Sequence, residues 1–180
     1  QEVTVKKKKE PPFFFNDPDQ LVRPTSAFLI TNLLESAISD REGTGGAARA
    51  LGRPAAGKTG TTSDYIDAWF MGYTAQVATG VWVGFDEEKV LGPGEVGGRA
   101  ALPIWLEYMK AAHAKLPVEN FPVPPGIVFV NIDRESGDLA SPSSKEVVRQ
   151  AYLENTEPKT TKEEAKARDE TEFYREEYTE

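Results

Sequence analysis

Lys58-Thr59-Gly60-Thr61-Thr62 is the stretch of this chain best equipped for chemistry. It holds an ammonium, three hydroxyls and a glycine within five residues, and two different chemistries fit it. Gly52-x4-Gly57-Lys58-Thr59 matches the phosphate-binding P-loop pattern, in which backbone N–H groups wrap a phosphate at the start of a helix. Lys58-Thr59-Gly60-Thr61 also suits a strand at the edge of an acyl-transfer site. There Lys58 is a positive point charge, Thr59 and Thr61 are hydroxyl donors, and Gly60 admits a substrate backbone. A backbone N–H beside the motif would stabilise the oxyanion of a tetrahedral intermediate.

The elements around the motif discriminate between the two. A P-loop follows a buried strand and opens a helix. Gly46-Ala47-Ala48-Arg49-Ala50-Leu51 makes a poor strand, and Gly60-Thr61-Thr62 makes a poor helix start. Asp86 and Asp133 follow apolar runs and are weak candidates for a magnesium ligand. Strand-like sequence comes next, as the acyl-transfer reading requires. Tyr65 to Tyr73 is aromatic and β-branched, and Val77 to Phe85 alternates with period two. Thr74-Ala75-Gln76 is short enough for a hairpin turn. Ala78, Gly80 and Gly84 leave one face of the second strand small, which predicts close packing of a helix there.

Upstream, Ile30, Leu33, Leu34, Ala37 and Ile38 repeat at helical spacing, with Pro24 before a Thr25 or Ser26 cap. Gly43, Gly45 and Gly46 end that helix, and a short helical turn follows over residues 47–51. Downstream, Gly92-x-Gly94-x-x-Gly97 resembles a dinucleotide fingerprint, but Pro93 and the lack of a βαβ context make it a turn. Pro103 opens a helix to about Leu116, with Trp105, Tyr108, Met109 and Ala112 as its apolar stripe. His113, the only histidine, is expected at the surface near its C-terminal end. Residues 117–126 form a proline-rich connection. Ile127 to Ile132 predicts a strand, residues 134–138 a hairpin turn, and residues 147–153 a short helix or strand.

The chain has 180 residues and a net charge of −8. Ten acidic and five basic residues lie between Glu154 and Glu180, so the acidity belongs mainly to a tail. Three segments are expected: an irregular 1–24, a folded 25–153, and a charged, disordered 154–180. The Lys6–Lys9 run reads as a solvated loop, and Phe13-Phe14-Phe15 as an anchor or a bared surface. No basic surface for nucleic acid is evident. Without cysteine there is no disulfide, thiolate metal site or cysteine nucleophile. No apolar run is long enough to cross a membrane, and no signal peptide opens the chain.

Residues 56–62 followed by Asp67-Ala68-Trp69-Phe70-Met71-Gly72-Tyr73-Thr74 resemble the penicillin-binding proteins, and most closely the transpeptidase domain of the bifunctional class A enzymes. Val81-Trp82-Val83-Gly84, residues 100–105, Ile132-Asp133 and Ser136-Gly137 are similar to later family segments. The likeness runs from about Pro24 to Pro158. It implies an α+β fold, the C-terminal part of a serine β-lactamase/transpeptidase-like architecture, with an antiparallel sheet flanked by helices and the motif on an inner strand. The implied reaction crosslinks peptidoglycan by acyl transfer from a D-Ala-D-Ala stem peptide through a seryl ester. Lys58 would face the nucleophile and help move its proton. Thr59, Gly60, Thr61 and Thr62 would contact the stem peptide or a β-lactam, and the Thr61 N–H would form half of the oxyanion hole. No metal or cofactor is implied.

The family attacks with the serine of Ser-x-x-Lys and uses a second Ser-x-Asn motif. Neither occurs in this chain. The chain is therefore expected to be inactive alone, one piece of an enzyme that also carries a glycosyltransferase domain. That enzyme would lie on the extracytoplasmic face of the inner membrane, anchored by a segment outside this chain. Its other partner would be the remainder of the transpeptidase domain. Two copies pairing through exposed core faces, and a non-catalytic relative that uses the scaffold for protein contacts, stay open as alternatives.

Overall fold

The computed structural model describes residues 21–161 and 164. The Lys6–Lys9 run, Phe13–Phe15 and most of the charged tail lie outside the described residues. The described residues divide into two compact units, one of residues 26–123 and the other of residues 21–25 with 124–161 and 164.

The first unit holds the motif. Helix α1 (Pro24–Ser39) takes Pro24 into its first turn, where a missing N–H costs nothing. Its inward face is only partly the stripe expected from the sequence. Phe28 and Ile38 are buried, whereas Ile30 is 56% and Leu33 54% exposed. Leu34 and Ala37 are half-buried. The helix is turned so that the Thr31 hydroxyl meets the Tyr73 hydroxyl at 2.9 Å, a polar contact that apolar periodicity does not register. A 3-10 turn follows at Gly46–Leu51.

Strands β1 (Ala56–Thr61), β2 (Ala68–Tyr73) and β3 (Ala78–Val83) form an antiparallel sheet in that order. The Thr74 N–H donates to the Val77 carbonyl to close the β2–β3 hairpin. A 3-10 turn at Ser63–Tyr65 shortens the strand expected from Tyr65. The register pairs Lys58 with Met71, Thr59 with Phe70 and Gly60 with Trp69. It also pairs Trp69 with Trp82 and Met71 with Gly80.

One face of this sheet is the core. Phe70 meets Trp105 edge-on at 4.9 Å, and Ala101, Leu102, Met109, Ile38, Ala48 and Ala55 complete the cluster. The indole N–H of Trp105 reaches the carbonyls of Gly72 (3.3 Å) and Thr79 (3.2 Å). A Cβ on Gly72 would lie 2.7 Å from Trp105, so glycine leaves room for the indole against the sheet. The helix presenting these groups is α3 (Leu102–Ala112), entered through the short α2 (Gly97–Ala100). Its buried stripe is Leu102, Trp105 and Met109, continuing to His113; Tyr108 and Ala112 face outward, contrary to the expected stripe.

His113 is likewise not a surface residue. It is buried; its Nδ1 meets the Met109 carbonyl at 2.7 Å and its Nε2 the Thr74 hydroxyl at 2.9 Å. The Thr74 oxygen also accepts the N–H groups of Gln76 and Val77. With its lone pairs so engaged, the hydroxyl proton goes to Nε2, and Nδ1 carries the hydrogen that reaches Met109. One histidine thus ties the end of α3 to the β2–β3 hairpin.

Helix α3 packs on the Thr79, Val81 and Val83 side of β3, not on the small side. The small side is filled by the sheet itself. A Cβ on Gly80 would overlap Met71, and one on Gly84 would overlap Trp82. Trp69 (42%), Met71 (54%) and Trp82 (43%) remain partly exposed on this face.

In the second unit, β4 (Ile127–Asp133) and β5 (Val147–Leu153) pair antiparallel. Asp133 closes the turn at 134–138, its carboxylate accepting the N–H groups of Glu135 and Ser136. The chain beyond Leu153 is tied down as far as Thr161 by a bridge to Leu139, which corrects the expectation of disorder for that stretch.

Candidate active site

Strand β1 stands at the end of its sheet, not on an inner strand: only β2 pairs with it among the described residues. The Thr62 N–H donates to the Asp67 carbonyl at 3.1 Å. In an antiparallel ladder, main-chain groups point alternately toward and away from the partner. Thr62, Gly60 and Lys58 therefore direct theirs at β2, and Thr61, Thr59 and Gly57 direct theirs at the open edge.

The side chains alternate as well. Lys58 and Gly60 lie on the face of Trp69, Met71 and Trp82, and Thr59 and Thr61 on the other. Lys58 is exposed, and its Nζ curls back to the Thr59 carbonyl (3.1 Å) and hydroxyl (3.4 Å). It has no carboxylate partner among the described residues. The Thr59 hydroxyl donates to the Thr44 hydroxyl at 3.1 Å. The Thr61 hydroxyl accepts the Gly97 N–H at 3.2 Å. Helix α2 thus buttresses the motif strand from behind. A Cβ on Gly97 would overlap the Trp69 carbonyl oxygen and lie 2.6 Å from that of Gly60. At Gly60 the close approach visible here is this internal one.

These placements exclude the P-loop. Lys58 and Thr59 lie within a strand, and no helix begins beside them to aim N–H groups at a phosphate. Asp86 lies in the loop after β3, and Asp133 serves its own turn. Among the described residues there is no cluster of histidine, cysteine and carboxylate side chains fit to hold a metal. Sequence reasoning brought together Lys58, Thr59, Gly60, Thr61 and Thr62 but missed Thr44, Asp67 and Gly97. The glycine-rich loop before α2 was the available signal for Gly97.

The chain has counterparts among known proteins. Residues 123–166 match the family model described as "Penicillin-binding protein 1A, C-terminal domain". The chain is 46% identical over 120 residues to penicillin-binding protein 1A of Aquifex aeolicus, covering 67% of this chain and 16% of that protein. It is 43% identical over 127 residues to the Pseudomonas aeruginosa protein of the same name, covering 70% and 15%. The crystal structure of penicillin-binding protein 1A from Haemophilus influenzae superposes with a TM-score of 0.70 at 35% identity, covering 78% of this chain and 22% of that one. The chain belongs to the penicillin-binding protein 1A family.

The family likeness reaches beyond the motif. The C-terminal domain match falls on the unit that holds the β4–β5 pair. The mixed fold of helices and antiparallel sheets agrees with the Haemophilus penicillin-binding protein 1A. The chain spans about 15% of the length of the curated penicillin-binding protein 1A relatives it matches.

Proposed function

We propose that this chain supplies one wall of the transpeptidase site of a class A peptidoglycan synthase. The observation that carries this reading is the free edge of β1. The Thr61 peptide N–H points off the sheet, within a strand that α2 holds from behind, and the exposed Lys58 ammonium rests on Thr59 of the same strand. In this reading a stem peptide or a β-lactam lies along that edge. Thr59, Gly60, Thr61 and Thr62 contact it, and Lys58 offsets its negative charge. The nucleophilic serine belongs to another part of the enzyme. Its oxygen attacks the penultimate D-Ala carbonyl and its proton leaves through a network that includes Lys58. The Thr61 N–H donates to the resulting oxyanion. Terminal D-Ala departs with the proton, and an amine of a second stem peptide then takes the acyl group from the seryl ester.

The bare Trp69, Met71 and Trp82 face fits this partial character, because a sheet face so apolar calls for a covering layer. The remainder of the transpeptidase domain is the proposed cover, with a second copy of this chain as the alternative. The enzyme would work on the extracytoplasmic face of the inner membrane and carry a glycosyltransferase as well. Fluorescent penicillin tests the assignment. This chain alone should show no covalent label on a denaturing gel, and the full-length protein should be labelled. A labelled band from this chain alone would overturn the division of labour. An unlabelled, folded full-length protein would make it a non-catalytic scaffold.

A further inference from the structure

The motif strand ends in a set of contacts centred on one carboxylate. Thr62 and Asp67 face each other across the β1–β2 turn. The Thr62 N–H donates to the Asp67 carbonyl (3.1 Å), and the Asp67 N–H donates to the Thr62 hydroxyl oxygen (2.8 Å). That hydroxyl in turn reaches Asp67 Oδ2 at 3.4 Å. The other carboxylate oxygen, Oδ1, accepts the indole N–H of Trp82 at 2.8 Å. Both main-chain polar groups and both side-chain oxygens of Asp67 are therefore engaged.

Trp82 lies on β3, the strand farthest from β1. Its ring rests at a tilt against Trp69, with centroids 6.3 Å apart. It reaches Asp67 by lying along the strand across Gly84. A Cβ there would overlap the indole and lie 2.8 Å from Asp67 Oδ1. Gly84 is thus a cradle for this one hydrogen bond. The chain of contacts runs from Gly84 and Trp82 on β3, through Asp67, to the residue that follows Thr61.

We infer that Asp67 is a positioning residue for the Thr61 N–H. Thr61 is the last residue of β1, where an unsupported strand frays. The peptide joining Thr61 to Thr62 is held by the Asp67 carbonyl, and Asp67 is held by Trp82. Releasing Asp67 frees Thr61 to rotate, and its outward N–H loses its aim. A donor fixed in place before the reaction acts chiefly on the transition state, so the loss falls on the chemical step more than on binding. This inference rests on the role proposed above for the β1 edge.

The test uses the full-length enzyme that carries this segment and separates non-covalent penicillin affinity from the acylation rate by rapid mixing. D67A should slow acylation about tenfold to a hundredfold, the usual cost of a misplaced group. Affinity should change less than about threefold. D67N should recover most of the rate, because its amide oxygen still accepts from Trp82 and its N–H2 meets the Thr62 hydroxyl. G84A should reproduce the D67A loss with Asp67 and Thr62 kept in the sequence, because its Cβ displaces the Trp82 indole and crowds the Asp67 carboxylate, and it keeps the test decisive if D67A fails to fold. In this chain, amide exchange at Thr62 should accelerate in G84A while the melting temperature holds. K58A is run alongside. If K58A acylates normally, the placement of the site is wrong. If K58A is impaired but D67A and G84A acylate at the parent rate, or lose affinity alone, the positioning role is overturned.

Discussion

Gly97→Ala is the substitution that most directly tests how the motif strand is held. The added Cβ would meet backbone only: the Trp69 carbonyl oxygen, which it overlaps, the Gly60 carbonyl at 2.6 Å and the Gly60 nitrogen at 3.1 Å. Ordinary contact begins near 3.4 Å, so α2 and β1 must separate by about 0.8 Å or more in a core packed to crystal density. No side chain can swing aside to relieve this. Overpacking of this kind costs about 1–3 kcal/mol. The separation also stretches the Gly97 N–H bond to the Thr61 hydroxyl, worth about 1 kcal/mol. A loss of about 2–4 kcal/mol follows, or roughly 10–20 °C in melting temperature for a unit of this size. Urea titration of this chain, followed by tryptophan fluorescence, measures it. Gly98→Ala is the graded control. Its Cβ would lie 3.1 Å from the Thr44 carbonyl and 3.5 Å from the Thr59 methyl, which needs a shift of a few tenths of an ångström. It should cost less than about 1 kcal/mol. If Gly97→Ala unfolds within about 0.5 kcal/mol of the parent, or Gly98→Ala costs more, α2 does not clamp the strand as described.

Lys58→Ala in the full-length enzyme should reduce acylation by penicillin sharply and leave the melting temperature unchanged, since the exposed side chain hydrogen-bonds only to Thr59 among the described residues; parent-like acylation rates would remove Lys58 from the site. His113→Ala should destabilise this chain by about 2–3 kcal/mol, because the buried Thr74 hydroxyl and Met109 carbonyl lose a shared partner. Equilibrium urea unfolding decides it, and a cost below about 0.5 kcal/mol would refute the bridge. Glu35 has its carboxyl pushed above the ordinary value of 4.5, chiefly by desolvation, while a hydrogen bond from Asn32 pulls the other way. The folded state then binds the Glu35 proton more tightly than the unfolded state. Its contribution to stability is greatest below 4.5 and is lost as pH rises through the raised value. Glu35→Gln should therefore stabilise the chain at pH 7, and the gain should vanish in acid; a gain that grows on acidification would refute the sign.

Much of the sheet was legible because period two is a strong signal. The alternation of Val77 to Phe85, the turn at Thr74 to Gln76 and the strand 127–132 all stand in the structure within a residue or two at their ends. The helices were legible as helices but not in their rotation. In α1 the apolar count favours Ile30 and Leu33, yet a single hydroxyl pair, Thr31 with Tyr73, helps fix another face. In α3 the count includes Tyr108, while the buried line passes through His113, whose Nε2 finds its partner, Thr74, on the β2–β3 hairpin. Such polar pairings join residues 39 to 42 positions apart and leave no periodic trace. The small face of β3 misled for a related reason: Gly80 and Gly84 make room for Met71 and Trp82 of the same sheet, not for a neighbouring helix.

The free edge of β1 argues for a partner on physical grounds apart from family likeness. An unpaired strand edge is a template for unwanted pairing, and proteins blunt it with charge, proline, bulges or cover. Along β1 the only charged side chain is Lys58, there is no proline, and α2 braces the strand from the back without covering the outward peptide groups. The strand is also rigid. Thr59 is tied to Thr44, Thr61 to Gly97 and Thr62 to Asp67. A well-held edge with outward N–H groups at Thr59 and Thr61 is poor protection against aggregation but a good template for an extended peptide. The stem-peptide binding proposed above would give that edge a use, and the ammonium of Lys58 would favour a ligand with a carboxylate. Among the described residues no other strand combines a hydroxyl-rich free edge with a lone, unpaired lysine.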